Sequence, residues 1–305
     1  MFDTVPVVRC GAKSLRLDRP QLMGIVNVTP DSFSDGGDFV QTDAAVAHAL
    51  QLIEEGADIL DIGGESTRPG AETVSAEQEL ARVIPVIRQV ATHIQERQLP
   101  TLISVDTYKP EVMQAAVEAG ADLINDVRAL TEPGALDTVA GLDCGVVLMH
   151  FVGTSADMQT DPLYDDVTAD VHRFLTERIF ACELAGIRKD RLIVDPGFGF
   201  GKTTAHNMEL LARLDWLQDL GVPVLAGLSR KRSLGELTGR SEPKERVAAS
   251  VAAHLIAVQH GAMIVRVHDV AATRDALLIQ QAVAPLQRPR TVAPKSSAAA
   301  LWPED

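Results

Sequence analysis

An arginine and a histidine near the end of the last apolar segment form a pair that suits the binding of an anion. Arg266 and His268 stand two positions apart in RVHD, so in an extended strand both side chains point to one face. A guanidinium offers a planar fork of donors, and with an imidazole beside it the pair suits a phosphate group. The alternative is that Arg266 only pairs with a neighbouring carboxylate such as Asp269. We favour the anion site.

A run of cations, SRKR at 229–232, follows another apolar segment. Such a run is often only a solvated basic patch on a loop. Its position directly after a predicted strand, in an acidic chain, argues for a role in binding. The compact ammonium of Lys231 suits a carbonyl oxygen or a ring nitrogen of a heterocycle.

Asp106, Asn125 and Asp195 lie at or near the ends of three further apolar segments. A carboxylate accepts two parallel hydrogen bonds from an amino group and the adjacent ring N–H, which is the edge that pterins and guanines present. The alternative for Asp195, which precedes Pro196 and Gly197, is that it only caps the next turn. Taken together, these residues predict a pocket for a polar heterocycle that carries an anionic group.

Three glycine-rich segments connect the predicted elements. TPDSFSDGG (29–37) and GGESTRPG (63–70) mix hydroxyls, charges and flexible residues, so they are either lids over a substrate or ordinary surface turns. DPGFGFGK (195–202) resembles a phosphate-binding loop only superficially. It lacks the GxxxxGK[ST] spacing, and we therefore reject that interpretation.

Eight apolar runs without strict polar alternation predict strands that are buried on both faces of a parallel sheet. They are Leu22–Val28, Ile59–Gly63, Leu102–Asp106, Leu123–Val127, Gly145–His150, Leu192–Asp195, Val222–Leu228 and Met263–His268. Stretches with helical periodicity lie between them. These are Asp43–Glu55, Ala76–Glu96, Pro110–Ala119, the weaker Pro133–Leu142, Asp166–Ala185, Ala205–Leu220, Lys244–His260 and Val270–Ala284.

A helix that ends in glycine and is followed by an apolar strand recurs along the chain, as in EEGADILDIGG at 54–64. Eight such βα units in about 260 residues predict an α/β fold, a single-domain (β/α)8 barrel. A doubly wound open sheet is the alternative, although no GxGxxG turn follows the first strand. In barrels of this kind the active site lies at the carboxyl ends of the strands, where the polar residues above are found.

Composition excludes several classes of protein. The 305 residues include 42 acidic and 28 basic ones, a net charge of −14 that disfavours a nucleic-acid partner. No membrane span or signal peptide is predicted, and three cysteines (Cys10, Cys144 and Cys182) suit a reducing compartment. We therefore expect a cytoplasmic protein. We divide it into an N-terminal segment (1–20) that forms a short β lid over the barrel's bottom, the barrel (21–284) and a flexible tail (285–305).

Seven segments in chain order resemble the dihydropteroate synthase family. They are LMGIVNVTPDSFSDGG (22–37), ADILDIGGESTRPGA (57–71), SVDT (104–107), INDV (124–127), DPGFGFGKT (195–203), GLSRK (227–231) and RVHD (266–269). The resemblance implies a (β/α)8 barrel, usually a homodimer, in folate biosynthesis. It also implies a transferase that joins 6-hydroxymethyl-7,8-dihydropterin pyrophosphate to 4-aminobenzoate with the assistance of Mg²⁺. Such an enzyme would be inhibited by sulfonamides. The products would be 7,8-dihydropteroate and pyrophosphate.

The resemblance also implies roles for individual residues. The residues expected to bind the pterin are Asp106, Asn125, Asp195 and Lys231. Those expected to bind the pyrophosphate are Asn27, Arg266 and His268, and Asn27 is also expected to bind the Mg²⁺. Those expected to bind the aminobenzoate are Phe33, Thr67, Pro69, Phe200 and Arg232. Those expected to take part in catalysis are Asp106, Lys231, Arg68 and Asp35.

The expected mechanism is dissociative: pyrophosphate leaves first, and facing carboxylates stabilise the resulting pterin cation. One position departs from the family pattern. Arg232 follows Lys231 where many members carry Ser, so its backbone N–H contacts the aminobenzoate carboxylate or its side chain points outward.

Two alternatives remain open at this point. One is a pterin-binding methyltransferase-type barrel, which would not need the two glycine-rich loops or a pyrophosphate clamp. The other is a non-catalytic pterin-binding paralogue, which would be expected to lose residues such as Asn27, Arg68, Asp106 or Lys231; all four are present. Phe33 and the intact DSFSDGG loop predict a sulfonamide-sensitive form. The apolar stretches Lys244–His260 and Val270–Ala284 predict the interface of a dimer.

Overall fold

A closed barrel of parallel strands forms the centre of the computed structural model, which describes residues 5–29, 38–66, 73–151 and 164–286. An antiparallel hairpin, β1 (Val7–Cys10) and β2 (Lys13–Arg16), precedes the barrel. The barrel strands are β3 (Gln21–Asn27), β4 (Ile59–Gly63), β5 (Leu102–Asp106), β6 (Leu123–Asp126), β7 (Gly145–Met149), β8 (Leu192–Asp195), β9 (Val224–Ala226) and β10 (Ala262–Val267). They pair in chain order, and β10 closes the barrel against β3. The predicted (β/α)8 barrel is confirmed, and the open-sheet alternative is wrong.

Helices connect the strands and surround the barrel. They are α1 (Asp38–Glu55), α2 (Ala76–Glu96), α3 (Pro110–Glu118), α4 (Ala135–Ala140), α5 (Val167–Leu184), α6 (Thr204–Ala212), α7 (Arg232–Thr238), α8 (Val247–Gln259) and α9 (Val270–Val283). Local sequence explains several of their ends. Ser75 and Gln78 form a capping box at the start of α2, and Asp166 caps α5. Gly56, which follows α1, has a φ of 102°, as the helix–glycine–strand pattern predicted.

Several predicted elements differ from the structure in their bounds: α1 begins at Asp38 rather than Asp43, and β9 covers only Val224–Ala226 of the predicted Val222–Leu228. The predicted helix 205–220 ends at Ala212, and Leu214–Leu220 is a 3₁₀ helix, because leucines spaced three apart bury one face of that tighter helix. The predicted helix from Lys244 begins at Val247 after a 3₁₀ turn. Helix α7 was missed, since its seven residues follow the basic run and are too few for a periodic signal.

The amino-terminal half of the barrel interior is mostly apolar. One inward-facing residue of each strand belongs to a single buried cluster with side chains of the hairpin. The eight strand residues are Met23, Ile59, Leu102, Leu123, Val147, Ile193, Leu225 and Ile264. Val8, Cys10, Leu15 and Leu17 pack beneath them. The described part of the first 20 residues therefore forms the β lid that the sequence predicted.

Further along five of the eight strands the inward-facing position becomes polar. Side chains alternate along a strand, so the residue two positions beyond each apolar one faces the same interior. At this level the barrel contains Asp61, Ser104, Asn125, Asp195 and Arg266. The outward faces of the strands carry the apolar residues that pack against the helices. The fold thus collects polar groups at the carboxyl ends of the strands.

The described residues also bear on three other predictions. No helix among them is long and apolar enough to cross a membrane. Cys10, Cys144 and Cys182 are buried and free. Residues 1–4 and most of the predicted tail, 287–305, lie outside the described part of the chain.

Candidate active site

A fully buried carboxylate lies at the centre of the polar end of the barrel. Asp61 Oδ2 accepts a hydrogen bond from Arg266 Nε at 2.6 Å and another from Asn125 Nδ2 at 3.0 Å. Asp61 Oδ1 is buried and has no partner among the described residues. Asp61 therefore orients two residues that the sequence assigned to the site. Asp61 is one of the polar residues that the sequence places at the strand ends, but no individual role was predicted for it, although it stands two positions beyond Ile59 and thus faces the barrel interior.

Arg266 bridges two carboxylates from neighbouring strands. Besides its bond to Asp61, its Nη2 donates to Asp106 Oδ2 at 2.6 Å. Arg266 thus pairs with carboxylates, as the alternative proposed, but not with Asp269, which accepts two hydrogen bonds from Arg230. Burial raises the pKa of Asp106, and the Arg266 charge opposes that rise. Burial likewise disfavours the charged form of Arg266, but the two carboxylates outweigh it and raise its pKa.

Asp195 is buried and Lys231 half-buried close to this ion-pair group, and their charges act on each other. Asp195 Oδ1 accepts the Gly197 N–H at 2.7 Å, so this residue also caps the next turn, as the alternative proposed. Burial raises the pKa of Asp195 to about 6. Burial, and then the charge of Arg266, lower the pKa of Lys231 to about 8. Lys231 Nζ also lies 4.0 Å from the centre of the Phe200 ring.

His268 contacts Ser229, a residue to which the sequence assigned no role. Ser229 Oγ accepts the His268 backbone N–H at 3.1 Å and lies 2.9 Å from His268 Nδ1. Burial, and then the nearby arginine charges, lower the pKa of His268 to about 3, so the ring is neutral at pH 7. The Ser229 hydroxyl can then donate to Nδ1, which leaves the proton on Nε2 as a donor for an anion.

Side chains from α8 hold the turn that carries Lys231. His254 Nε2 accepts the Leu228 N–H at 3.2 Å, and Ser250 Oγ accepts the Arg230 N–H at 2.9 Å. Arg230 has a φ of 56°, a conformation that L-residues adopt only at a cost in free energy. These contacts stabilise the turn against that cost. They come from residues 20 or more positions away, so no local signal in the sequence predicted them.

The other predicted residues divide into two groups. Asn27 is half-buried at the end of β3, beside Gly63 in the sheet register. Arg232 is the first residue of α7, and its mostly exposed side chain donates to Glu236 at 2.7 Å, which favours the outward orientation. The residues that fall outside the described part of the chain are Phe33, Asp35, Thr67, Arg68 and Pro69.

Comparisons with known proteins agree with this geometry. A family model described as pterin binding enzyme matches residues 23–268. A dihydropteroate synthase of Escherichia coli (strain K12) is 50% identical over 269 residues, 88% of this chain and 93% of the relative. The Haemophilus influenzae dihydropteroate synthase is also 50% identical, over 89% of this chain and 97% of its own.

Solved structures give the same result. The Xanthomonas albilineans dihydropteroate synthase with 4-aminobenzoic acid is 64% identical and superposes with a TM-score of 0.86, covering 94% of this chain and all of the other. A second structure from that organism, in complex with 7,8-dihydropteroate, is 58% identical with a TM-score of 0.80, covering 93% of this chain and all of the other. The chain therefore belongs to the pterin binding enzyme family and, within it, to the dihydropteroate synthases.

Proposed function

We propose that this chain joins 6-hydroxymethyl-7,8-dihydropterin pyrophosphate to 4-aminobenzoate, forming 7,8-dihydropteroate and releasing pyrophosphate. As a transferase of this kind it moves a group other than methyl. The observation that carries the proposal is the convergence of three carboxylates, one guanidinium and one ammonium at the carboxyl end of one barrel: Asp61, Asp106, Asp195, Arg266 and Lys231. Relatives solved with 4-aminobenzoic acid and with 7,8-dihydropteroate support it.

The pterin binds through the inward-facing polar groups. Asn125 gives its amide N–H to Asp61, so its carbonyl oxygen is left to accept from the pterin amino group. Asp106 and Asp195 accept from the remaining donors of the heterocycle, and Lys231 donates to its carbonyl oxygen or ring nitrogen. Because these groups are buried or half-buried, a pterin that pairs with them replaces water at little cost in reorganisation.

The pyrophosphate binds at the rim of the same pocket. His268 offers its Nε2 proton, and the charge of Arg266 attracts the leaving group. Departure of pyrophosphate leaves positive charge on the pterin methylene and ring. The Asp106 and Asp61 carboxylates stabilise that cation electrostatically. The weakly basic aminobenzoate nitrogen then attacks it and loses one N–H proton to water. The step requires no nucleophilic side chain.

We assign the Mg²⁺ ligand to Asn27. Its carboxamide oxygen is the hard donor that Mg²⁺ prefers, and this ion commonly takes one or two protein oxygens with substrate phosphates and water completing its shell. Asn27 stands at the carboxyl end of β3, the end at which the pyrophosphate is proposed to lie. A bound Mg²⁺ supplies charge neutralisation for the leaving group.

Further proposals concern the whole molecule. Residues 21–284 would form the pterin-binding domain of a cytoplasmic homodimer. Exposed apolar residues on the two helices predicted for the interface support the dimer: Ile256, Leu278, Ile279 and Val283. A mass in solution equal to one chain would contradict it. We also propose that sulfonamides inhibit the enzyme, since a Yersinia pestis relative was solved with a sulfonamide drug; uninhibited turnover at high drug concentration would contradict this.

The experiment that tests the reaction is release of pyrophosphate from the pterin substrate with Mg²⁺, measured with and without 4-aminobenzoate. We expect dihydropteroate to form in step with pyrophosphate when both substrates are present. Binding of the pterin without any product, in protein that melts cooperatively, would instead favour the non-catalytic paralogue. Methyl transfer from methyltetrahydrofolate to a corrinoid protein would favour the methyltransferase.

A further inference from the structure

Lys202 is a buried lysine beside the site that the reaction proposed above does not use. Its Nζ lies 3.0 Å from the carbonyl oxygen of Gly197, 3.0 Å from that of Phe200, and 2.9 Å from His150 Nδ1. An ammonium has three N–H donors, and these three acceptors match them. The side chain thus folds back onto the turn that precedes it, which explains why this segment is not a phosphate-binding loop.

The turn that Lys202 contacts is also held by the buried Phe198 side chain, by Asp195, which accepts the Gly197 N–H at 2.7 Å, and by Tyr164, whose hydroxyl donates to Gly201 O at 2.9 Å. Gly197 has a φ of 68°, and a Cβ there would lie 2.0 Å from the His150 carbonyl oxygen, so only glycine fits. Within the turn, the Phe200 N–H donates to Gly197 O at 3.1 Å. Asn207 Oδ1 accepts the Gly199 N–H at 2.7 Å. Glycines contribute no side-chain packing, so these hydrogen bonds help to fix the backbone.

The position of the Phe200 ring depends on this backbone. Phe200 contributes one of the two carbonyls that Lys202 holds, and its ring lies 4.0 Å from Lys231 Nζ. A cation above an aromatic face gains electrostatic energy, so the ring and the ammonium stabilise each other. A shift of the turn would therefore move both the ring and its contact with the pterin-binding lysine.

Burial and neighbouring charges shift the pKa of both partners in the Lys202–His150 contact. Burial, and then the charge of Lys202, lower the pKa of His150 to about 2, so the imidazole is neutral and its Nδ1 accepts. Burial lowers the pKa of Lys202 to about 7. The negative charge of Asp195 opposes this decrease, whereas the positive charge of Lys231 increases it. The His150 ring is itself fixed by an edge-on contact with Phe174, with 5.0 Å between ring centres.

We propose that Lys202 is a positioning residue for the second substrate: it holds the 197–202 turn so that the Phe200 ring borders both the pterin pocket and the 4-aminobenzoate site. His150 completes the hydrogen bonding of its ammonium. The inference rests on the proposed function, because Phe200 affects aminobenzoate binding only if the ring lies against that substrate.

The first test is Lys202→Met, which keeps an unbranched side chain one atom shorter than that of lysine and removes its donors. We expect the KM for 4-aminobenzoate to rise about tenfold, the effect of losing hydrogen bonds from a charged donor. The KM for the pterin substrate should change less than about twofold on the same reasoning. The control is Lys189→Met, an exposed lysine at the opposite end of β8, which should leave both KM values unchanged.

A double-mutant cycle with Phe200→Ala separates this inference from the proposed function. If Lys202 acts through Phe200, adding Lys202→Met to Phe200→Ala changes the KM for 4-aminobenzoate by less than about twofold. Additive effects would overturn the positioning role while leaving the reaction intact. If Phe200→Ala alone leaves that KM unchanged, the aminobenzoate assignment of the proposed function fails instead, and this inference fails with it.

Variants of His150 keep the inference testable if Lys202→Met does not fold. His150→Asn places an oxygen acceptor near the position of Nδ1, whereas His150→Leu removes the acceptor. We expect the leucine variant to raise the KM for 4-aminobenzoate and the asparagine variant to restore it to within about threefold of the unsubstituted enzyme. Equal KM values for the two variants would contradict the role of the Lys202–His150 contact, as would a wild-type KM in a folded Lys202→Met.

Discussion

The two ends of the barrel interior differ in what fills them, although the same strands supply both. At the amino-terminal end eight apolar side chains close against the hairpin. Two positions further along β4 and β5, the interior contains Asp61 and Ser104, and two further along β10 it contains Arg266. Apolar burial at the first end stabilises the fold, whereas the second end holds charges that cost free energy to bury.

The groups that stabilise the barrel and the groups proposed to carry out its chemistry therefore lie at opposite ends of the barrel axis. Asp61 is fully buried, yet one of its oxygens has no partner among the described residues, and Ser104 beside it in the sheet register has an unpartnered hydroxyl. Unsatisfied buried groups destabilise a protein by roughly 1–3 kcal/mol each. The apolar end must offset that cost. Substitutions at the two ends should therefore have opposite signatures in stability and activity.

The largest effect is expected from Asp106→Asn at the polar end. The change keeps the shape but removes the negative charge that faces the pterin cation, so kcat/KM should fall about a thousandfold. The same substitution at the apolar end, Asp122→Asn, is the control; Asp122 pairs with Lys13 of the hairpin at 2.9 Å. Its kcat/KM should stay near wild type. Equal losses in steady-state assays of the two variants would contradict the separation.

The next effect is on stability, from Ile59→Ala at the apolar end. Ile59 is fully buried beneath Asp61, and its truncation leaves a cavity that should lower the free energy of unfolding by about 3 kcal/mol. Both KM values should remain unchanged in the folded variant. Phe180→Ala, at an exposed position of α5, serves as the control for denaturant titrations. A large rise in KM without loss of stability would show that the two ends are not independent.

Asp61→Asn should combine both signatures, because this residue stands where the apolar end meets the polar one. Arg266 keeps Asp106 but loses one of its two carboxylates, which should lower the free energy of unfolding by about 2 kcal/mol. Asn125 loses a charged acceptor, so the KM for the pterin substrate should rise about tenfold while that for 4-aminobenzoate stays constant. A change confined to the aminobenzoate KM would contradict this assignment.

The smallest effect is a shift in pH dependence at the polar end. Burial raises the pKa of Asp195 to about 6 and lowers that of Lys231 to about 8. Burial also raises the pKa of Asp106 to about 7, so if the two carboxylates and the Lys231 ammonium are the binding forms, kcat/KM rises between about pH 6 and 7 and falls above pH 8. Lys231→Arg should remove the alkaline fall, since arginine stays protonated. An unchanged alkaline limb in that variant would assign it to another group.

Stability follows the same pKa shifts with a definite sign. The raised pKa of Asp195 means that the folded state binds more protons than the unfolded state between about pH 4 and 6. The stabilising contribution of the protonated Asp195 side chain to the free energy of unfolding is present below pH 4 and is lost as the pH rises through 6. Lys231 acts in the opposite direction: its lowered pKa makes the folded state gain stability as the pH rises above 8.

Much of the fold was readable from local sequence. The apolar runs predicted all eight barrel strands, with β4, β5 and β8 placed at their observed ends. Repeated glycines after helices predicted the βα repeat, and they have the positive φ expected of them. Helix α7 and the 3₁₀ helix Leu214–Leu220 were not predicted, because each is too short for periodicity to distinguish it from a loop or from the neighbouring helix.

The chemical groups of the site, and the end of the barrel at which they stand, could be predicted from the sequence alone. Strand register and side-chain alternation follow from local pattern, which is why this was possible. Only the tertiary structure decided their partners. Arg266 binds Asp61 and Asp106 rather than Asp269, and Lys202 turns onto its own loop to meet His150. The reason is physical: such pairs join residues tens to hundreds of positions apart, and their distances are set by closure of the barrel.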